Sequence, residues 1–116
     1  MQVMKTLSGN KFQYKQHPDG ELIIYASDDD GNLQEKSALV ITPYTIDLVK
    51  RTIRQRGQIL MGASRDKPPA GSLGEILKRE GQTPQQLSYL IPILVQTGVC
   101  TWRRQGKAFL VVSAGN

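Results

Sequence analysis

The chain has 116 residues, of which 39 % are hydrophobic and 22 % are charged; this composition predicts one folded core and excludes an intrinsically disordered protein. The net charge of +5 favours an anionic partner, while the single cysteine excludes an internal disulfide framework. No apolar run approaches the roughly 18 residues of a membrane-spanning helix. The first residues also lack the apolar stretch of a signal peptide, so we expect a cytoplasmic protein with no membrane partner.

The first 41 residues carry the pattern of an antiparallel β-meander. Hydrophobic and polar residues alternate over residues 11–16 and 21–26, on either side of a His-Pro-Asp-Gly turn at 17–20. Residues 2–7 and 33–41 can supply further strands, with a turn at 28–32 before the last one.

Neither of the polar turns predicts a metal site. Residues 28–30 are aspartates before a glycine, but the first and last ligand positions of a calcium loop aligned on that glycine hold Ala26 and Ser37. His17 stands in its turn without a cysteine or carboxylate at an established ligand spacing. We therefore expect turns here and no metal or other cofactor.

Helix signals begin at residue 42. Thr42 is suited to cap a helix that has Pro43 in its first turn and ends at Gly57. Residues 58–62 form a short apolar segment that suits a strand. Residues 64–71 contain two prolines and a glycine, which predict an exposed loop.

Two further helices are expected, over residues 73–80 and 84–97. Each begins with the signature of a capping box, formed by Ser72 with Glu75 and by Thr83 with Gln86. The second of these helices contains Pro92, and an interior proline costs about 3 kcal/mol through a lost hydrogen bond and a steric clash. We therefore expect this helix to kink, or to end and restart, near residues 90–92.

The last element is a β-hairpin of residues 99–104 and 107–112, with residues 105–106 at its tip. Its strands place Cys100 where a small buried hydrophobe is more plausible than a nucleophile. Trp102 is expected to pack under the hairpin; if it is exposed instead, it could stack on single-stranded nucleic acid.

The charge is distributed unevenly between the two parts of the chain. Residues 1–42 hold four lysines against six carboxylates, a net charge of −2, whereas residues 43–116 hold 11 basic residues against four acidic ones, a net charge of +7. A positive field of this kind favours a polyanion such as nucleic acid. The other interpretation is a solvated face that keeps the protein soluble.

The order of helices, caps and hairpin over residues 42–112 resembles the winged helix-turn-helix superfamily, which includes the MarR-like and related bacterial DNA-binding regulators. The resemblance implies a winged helix-turn-helix domain over residues 42–116, with three helices and a C-terminal hairpin wing. Together with the N-terminal antiparallel β-meander of residues 1–41, this predicts an α+β fold with either one fused core or two small ones. The resemblance also implies a non-enzymatic protein that binds duplex DNA, in a role such as transcription regulation.

On that resemblance the third helix is the one that enters the major groove. Its polar side chains, which can contact bases, are Gln85, Gln86, Ser88 and Tyr89. Alternatively, Gln86 is occupied by its capping box and Tyr89 packs in the core or in a dimer contact. Basic residues that can contact phosphates or a minor groove are Arg51, Arg54, Arg65, Lys67, Arg103, Arg104 and Lys107.

No signal for catalysis emerges from the sequence, which lacks a phosphate-binding glycine motif with its lysine. The competing class of function is a winged-helix protein-interaction module within a larger complex. Pro92 favours that class, because a kinked helix presents no straight face to DNA. The N-terminal sheet is a possible surface for a homodimer or for another protein, since its edge strands need covering.

Overall fold

A computed structural model describes residues 2–26, 38–64 and 67–115. These residues form an α+β fold with three α-helices and two antiparallel sheets, as the sequence predicts. None of the helices among them is long and apolar enough to cross a membrane. The turn expected at residues 28–32, the first five residues of the strand expected at 33–41, and the candidate phosphate contact Arg65 lie outside the described residues.

The N-terminal part is a four-stranded sheet in which neighbours in the chain are neighbours in space. Its strands are β1 (Gln2–Lys5), β2 (Lys11–Gln16), β3 (Leu22–Ala26) and β4 (Leu39–Ile41), and all pairs are antiparallel. The predicted meander is thus confirmed, with β1 and β3 slightly shorter than expected.

One face of this sheet is buried because apolar residues occupy every second position of its strands. The fully or almost fully buried side chains on this inner face are Phe12, Tyr14, Leu22, Ile24 and Ile41. The alternate residues point to the opposite, outer face.

The first helix and the short strand after it match the sequence signals. Helix α1 (Pro43–Arg56) is capped by Thr42, whose hydroxyl oxygen accepts a hydrogen bond of 3.3 Å from the Thr45 amide. Strand β5 (Gln58–Leu60) follows directly.

Helix α2 (Leu73–Arg79) begins at a serine cap, but only one of the two hydrogen bonds of the predicted capping box forms. The Ser72 hydroxyl accepts from the Glu75 amide at 3.2 Å, as expected. The Glu75 carboxylate, however, accepts from the amide of Gly71 at 3.0 Å rather than from that of Ser72. The Ser72 amide is already used, because it donates to the carbonyl of Pro69 at 3.1 Å.

The third helical segment is a 3₁₀ turn (Pro84–Gln86) that leads into helix α3 (Leu87–Gln96). Contrary to one expectation, α3 does not end at Pro92 but continues through it to Gln96. Pro92 has no backbone N–H, so the helical hydrogen bond from residue 92 to the carbonyl of Ser88 cannot form. The helix therefore loses one hydrogen bond near its start.

The C-terminal hairpin consists of β6 (Cys100–Gln105) and β7 (Ala108–Ser113), and β7 also pairs with β5. The two residues at its tip are Gly106 and Lys107, one position later than predicted. Gly106 has a φ of 64°, the positive value that the first central residue of a type II′ turn needs.

The inner face of the N-terminal sheet and the helices share one hydrophobic core. Phe12 of β2 and Tyr89 of α3 meet edge to face with ring centroids 5.1 Å apart. Six of the ten residues of α3 are buried, among them Ile91 and Ile93, which are two positions apart and therefore lie on opposite sides of the helix. A helix that is apolar around most of its circumference has to be covered on both sides, and the sheet supplies the second cover.

Candidate nucleic-acid interface

The basic side chains of the C-terminal hairpin are exposed and unpaired. Residues 101–107 all face solvent. Side chains alternate along a strand, so Arg103 and Arg104 point to opposite faces of the hairpin, and Lys107 stands in the turn. No carboxylate in the described part of the chain forms an ion pair with any of these three residues. The hairpin therefore presents three positive charges to an incoming anion from both of its faces.

A stack of side chains that the sequence analysis did not identify supports one face of the hairpin. The Arg104 guanidinium lies 5.2 Å from the centroid of the Phe109 ring, and the Trp102 ring meets Phe109 edge to face at 5.5 Å. Cation–π contact restricts the arginine without neutralising it. Trp102 is 39 % exposed, so the expectation that it packs under the hairpin holds only in part.

The start of α3 adjoins this face of the hairpin. Two clefts, of about 150 and 340 Å³, share Ser88 and Tyr89 in their walls; Phe109 lines the first and Gln85 the second. Gln85 is exposed, whereas Ser88 and Tyr89 are half-buried. Three of the four candidate base contacts are thus brought together beside the Arg104 stack.

The fourth candidate, Gln86, is in the wrong place for a contact with a base. Its side chain is only 3 % exposed and donates to the side-chain oxygen of Gln82 at 3.2 Å. The predicted capping box does not form either, since the Thr83 hydroxyl accepts from the Gln85 amide at 3.3 Å. The cause is the 3₁₀ turn, whose tighter winding brings residue 85 instead of residue 86 over the cap.

The rest of α3 offers little surface to a nucleic acid. Beyond Tyr89 the helix is buried as far as Leu94, and the N-terminal sheet packs against it, with Phe12 in contact with Tyr89. A recognition helix contacts base edges through the residues near its N-terminus. In this conformation the first turn of α3 is the part of the helix that could make such contacts.

The remaining candidate phosphate contacts differ in their availability. Arg51 forms an exposed ion pair of 2.9 Å with Asp47 one turn earlier on α1, which offsets its charge. Arg54 and Lys67 are exposed, and no ion pair involving either is seen among the described residues. Among the described residues, no hydrogen bond or ion pair joins any of these three side chains to the hairpin or to the start of α3.

Two groups outside this interface could in principle carry chemistry: a thiol and a cluster of possible metal ligands. Cys100 is buried at the start of β6, as expected, and burial raises the pKa of its thiol to about 11, so the thiol is protonated at neutral pH. Ligand atoms of His17, Asp19 and Glu21 lie within 4.8 Å of one another at the β2–β3 turn, a proximity that the sequence analysis did not expect.

The turn's own hydrogen bonds explain why these carboxylates lie close together. The Glu21 amide donates to a carboxylate oxygen of Asp19 at 3.0 Å, and this bond lowers the pKa of Asp19. A hydrogen bond with the Asp19 carboxylate raises the pKa of Glu21. The hydrogen bonds of the turn therefore explain why the Asp19 and Glu21 carboxylates lie close together, and no metal ion is needed to explain it.

Comparison with known proteins gives no match: no family model, no curated protein and no solved structure is significantly similar to this chain. The function therefore has to be argued from the arrangement of the residues themselves.

Proposed function

We propose that residues 42–115 act as a winged helix-turn-helix module that binds duplex DNA without catalysing a reaction, in a cytoplasmic protein that regulates transcription. In this proposal the C-terminal hairpin is the wing, and α2 with α3 is the helix-turn-helix. The order of elements supports it, because β5 pairs with the hairpin and the two helices follow one another through a short turn.

The observation that carries the proposal is the unpaired basic wing. Arg103, Arg104 and Lys107 are exposed, while both ion pairs seen among the described residues lie on helices. A protein that neutralises phosphates releases their counterions, and this release supplies most of the non-specific affinity for DNA. Three free cations at one hairpin end are suited to that purpose.

The helix contributes less than the superfamily resemblance implies. Only Gln85 and Ser88 offer polar atoms that a base edge could reach, with Tyr89 behind them, whereas the buried Gln86 is left out of the proposed contacts. We infer that sequence preference is modest and that phosphate contacts dominate the affinity.

The test is fluorescence anisotropy of a labelled random-sequence duplex at about 50 mM and about 200 mM salt, with the wild-type protein and the variant Arg103→Glu/Arg104→Glu. Each lost phosphate contact lowers the slope of log affinity against log salt by about 0.9, so the double variant should lose about 2 from that slope. The affinity at low salt should fall more than about tenfold. Far-ultraviolet circular dichroism checks that the variant is folded.

A matched control changes the net charge equally outside the wing, the start of α3 and the N-terminal sheet. Lys50→Glu/Arg56→Glu alters two basic residues of α1 and also shifts the net charge by −4. Equal loss of duplex binding in both double variants would mean that only net charge matters, and the wing would no longer be the contact surface.

A second function, a protein-interaction module, is favoured by one observation. The N-terminal sheet covers α3, so the helix that reads DNA in the proposed module is largely occupied within the same chain. If no duplex binding is measurable at about 50 mM salt, this second function is the better explanation of the fold.

A further inference from the structure

The outer face of the N-terminal sheet is exposed, and no helix of the described chain packs on it. The register places its side chains in rows across the strands: Val3, Gln13 and Tyr25 form one row, and Lys15, Ile23 and Val40 form another. Lys5 and Lys11 form a third pair. Val3 is 64 % exposed and Val40 is 42 % exposed, which shows that this face is open at both edges.

The charges that the four described strands place on the outer face are all positive. Lys5 of β1 stands directly opposite Lys11 of β2, a like-charge pair that destabilises a sheet. Lys15 lies on the same face of β2, and the four strands contribute no carboxylate to it. Asp19 and Glu21, in the turn between β2 and β3, are hydrogen-bonded to each other. An anion on this face would relieve the repulsion between the lysines.

An aromatic ring lies among these lysines. Tyr25 is half-buried in the row of Gln13, and the Lys15 ammonium lies 5.8 Å from the centroid of its ring. A base stacked on such a ring would have its phosphate within reach of the ammonium, and the Gln13 amide beside it can bond a base edge.

We propose that this outer face binds single-stranded nucleic acid. Stacking on an aromatic side chain requires an unpaired base, which a duplex does not offer. A second copy of the chain is disfavoured as the occupant, because face-to-face contact would bring together two sets of three lysines. Along β2 the Lys11 and Lys15 side chains are about 13 Å apart, so a strand of a few nucleotides spans them.

The experiment measures anisotropy of a labelled single-stranded oligo-dT and of an oligo-dT/oligo-dA duplex of the same length at about 100 mM salt. We expect the wild-type protein to bind oligo-dT with a Kd below about 100 μM. Tyr25→Ala should weaken that binding about fivefold or more, and Tyr25→Phe, which keeps the stacking ring, should restore it. Lys11→Glu/Lys15→Glu should abolish it.

The wing variant separates this proposal from the DNA-binding function proposed above. Arg103→Glu/Arg104→Glu should keep oligo-dT binding within about twofold while it loses duplex binding. No binding of oligo-dT by the folded wild-type protein would overturn the proposal and leave an acidic protein as the occupant. Equal oligo-dT affinity of Tyr25→Ala and Tyr25→Phe would also overturn it, because a ring that no base contacts can be removed without effect.

Discussion

Two neighbouring glutamines at the start of α3 have opposite environments. Gln85 is exposed beside the cleft, whereas the Gln86 side-chain oxygen is buried and has no hydrogen-bond partner among the residues that the structure describes. A buried acceptor without a partner costs about 1–3 kcal/mol, and an apolar side chain of similar size avoids this cost. The two residues therefore allow a binding role to be separated from a packing role.

We predict that Gln86→Met leaves duplex affinity unchanged and keeps or raises the free energy of unfolding, by up to about 2 kcal/mol. Gln85→Ala should do the reverse: the stability stays within about 0.5 kcal/mol, since the site is exposed, and duplex affinity falls. Urea denaturation and anisotropy on both variants measure the two effects. A loss of DNA affinity in Gln86→Met with unchanged stability would contradict the assignment of Gln86 to the core.

Single-residue environments were the hardest feature to predict from the sequence. The capping-box signature of Thr83 and Gln86 is real as a pattern, but a 3₁₀ turn shifts the bond to the Gln85 amide. The outer-face lysines were missed for another reason. A net charge of −2 for residues 1–42 hides the fact that Lys11 and Lys15 alternate with Phe12 and Tyr14, and alternation puts both lysines on one face.

At the scale of elements, the chain after β5 and the start of α2 approach each other closely, backbone to backbone, at Gly62 and Gly74. The Gly74 amide, in the first turn of α2, donates to the Met61 carbonyl at 2.9 Å. A Cβ added at Gly74 would collide with the carbonyl oxygen of Gly62, and one added at Gly62 would collide with the Ser72 hydroxyl. The chain after β5 thus passes directly over the start of α2.

We predict that Gly74→Ala lowers the free energy of unfolding by about 1–3 kcal/mol, because the added methyl group forces the two backbones apart. At an ordinary helical position the same change would stabilise by up to about 1 kcal/mol. The sign of the change therefore tests the crossing. Urea denaturation gives the value, and Gln55→Ala on the exposed side of α1 is the control, expected to stay within about 0.5 kcal/mol.

Most elements were predictable because their signals are local. A cap, an early proline and a following glycine set the bounds of α1 to the residue, and alternation set those of β2. The behaviour of α3 at Pro92 was not predictable in this way. Its neighbours from Leu90 to Leu94 are all buried, and we infer that packing on both sides outweighs the cost of one missing hydrogen bond.

At the scale of the whole molecule, the two segments distinguished by their sequence share one core. The division into residues 1–41 and 42–116 stays a prediction, but Phe12 and Ile24 of the sheet belong to the same hydrophobic cluster as Leu90 and Ile91 of α3. A signal for this packing was present in the sequence, since apolar residues occupy more than one side of α3. The resemblance nevertheless predicts an exposed reading face on this helix, and the sheet residues Phe12 and Ile24 that share its core are more than 60 residues away from Leu90 in the chain.

The shared core leads to a prediction about cooperativity. Phe12 is fully buried against Tyr89, so Phe12→Ala should lower the free energy of unfolding by about 3–5 kcal/mol. The single tryptophan, Trp102, lies in the hairpin and reports on the other segment. If the two segments fold as one unit, its fluorescence in Phe12→Ala should change at the same lowered urea concentration as the circular dichroism. If they fold separately, the tryptophan transition should stay at its wild-type midpoint while part of the circular dichroism signal is lost earlier. A common, lowered midpoint would mean that the sheet cannot leave α3 without unfolding the module, and the hairpin and the first turn of α3 would then remain the surfaces through which this part of the chain can contact DNA.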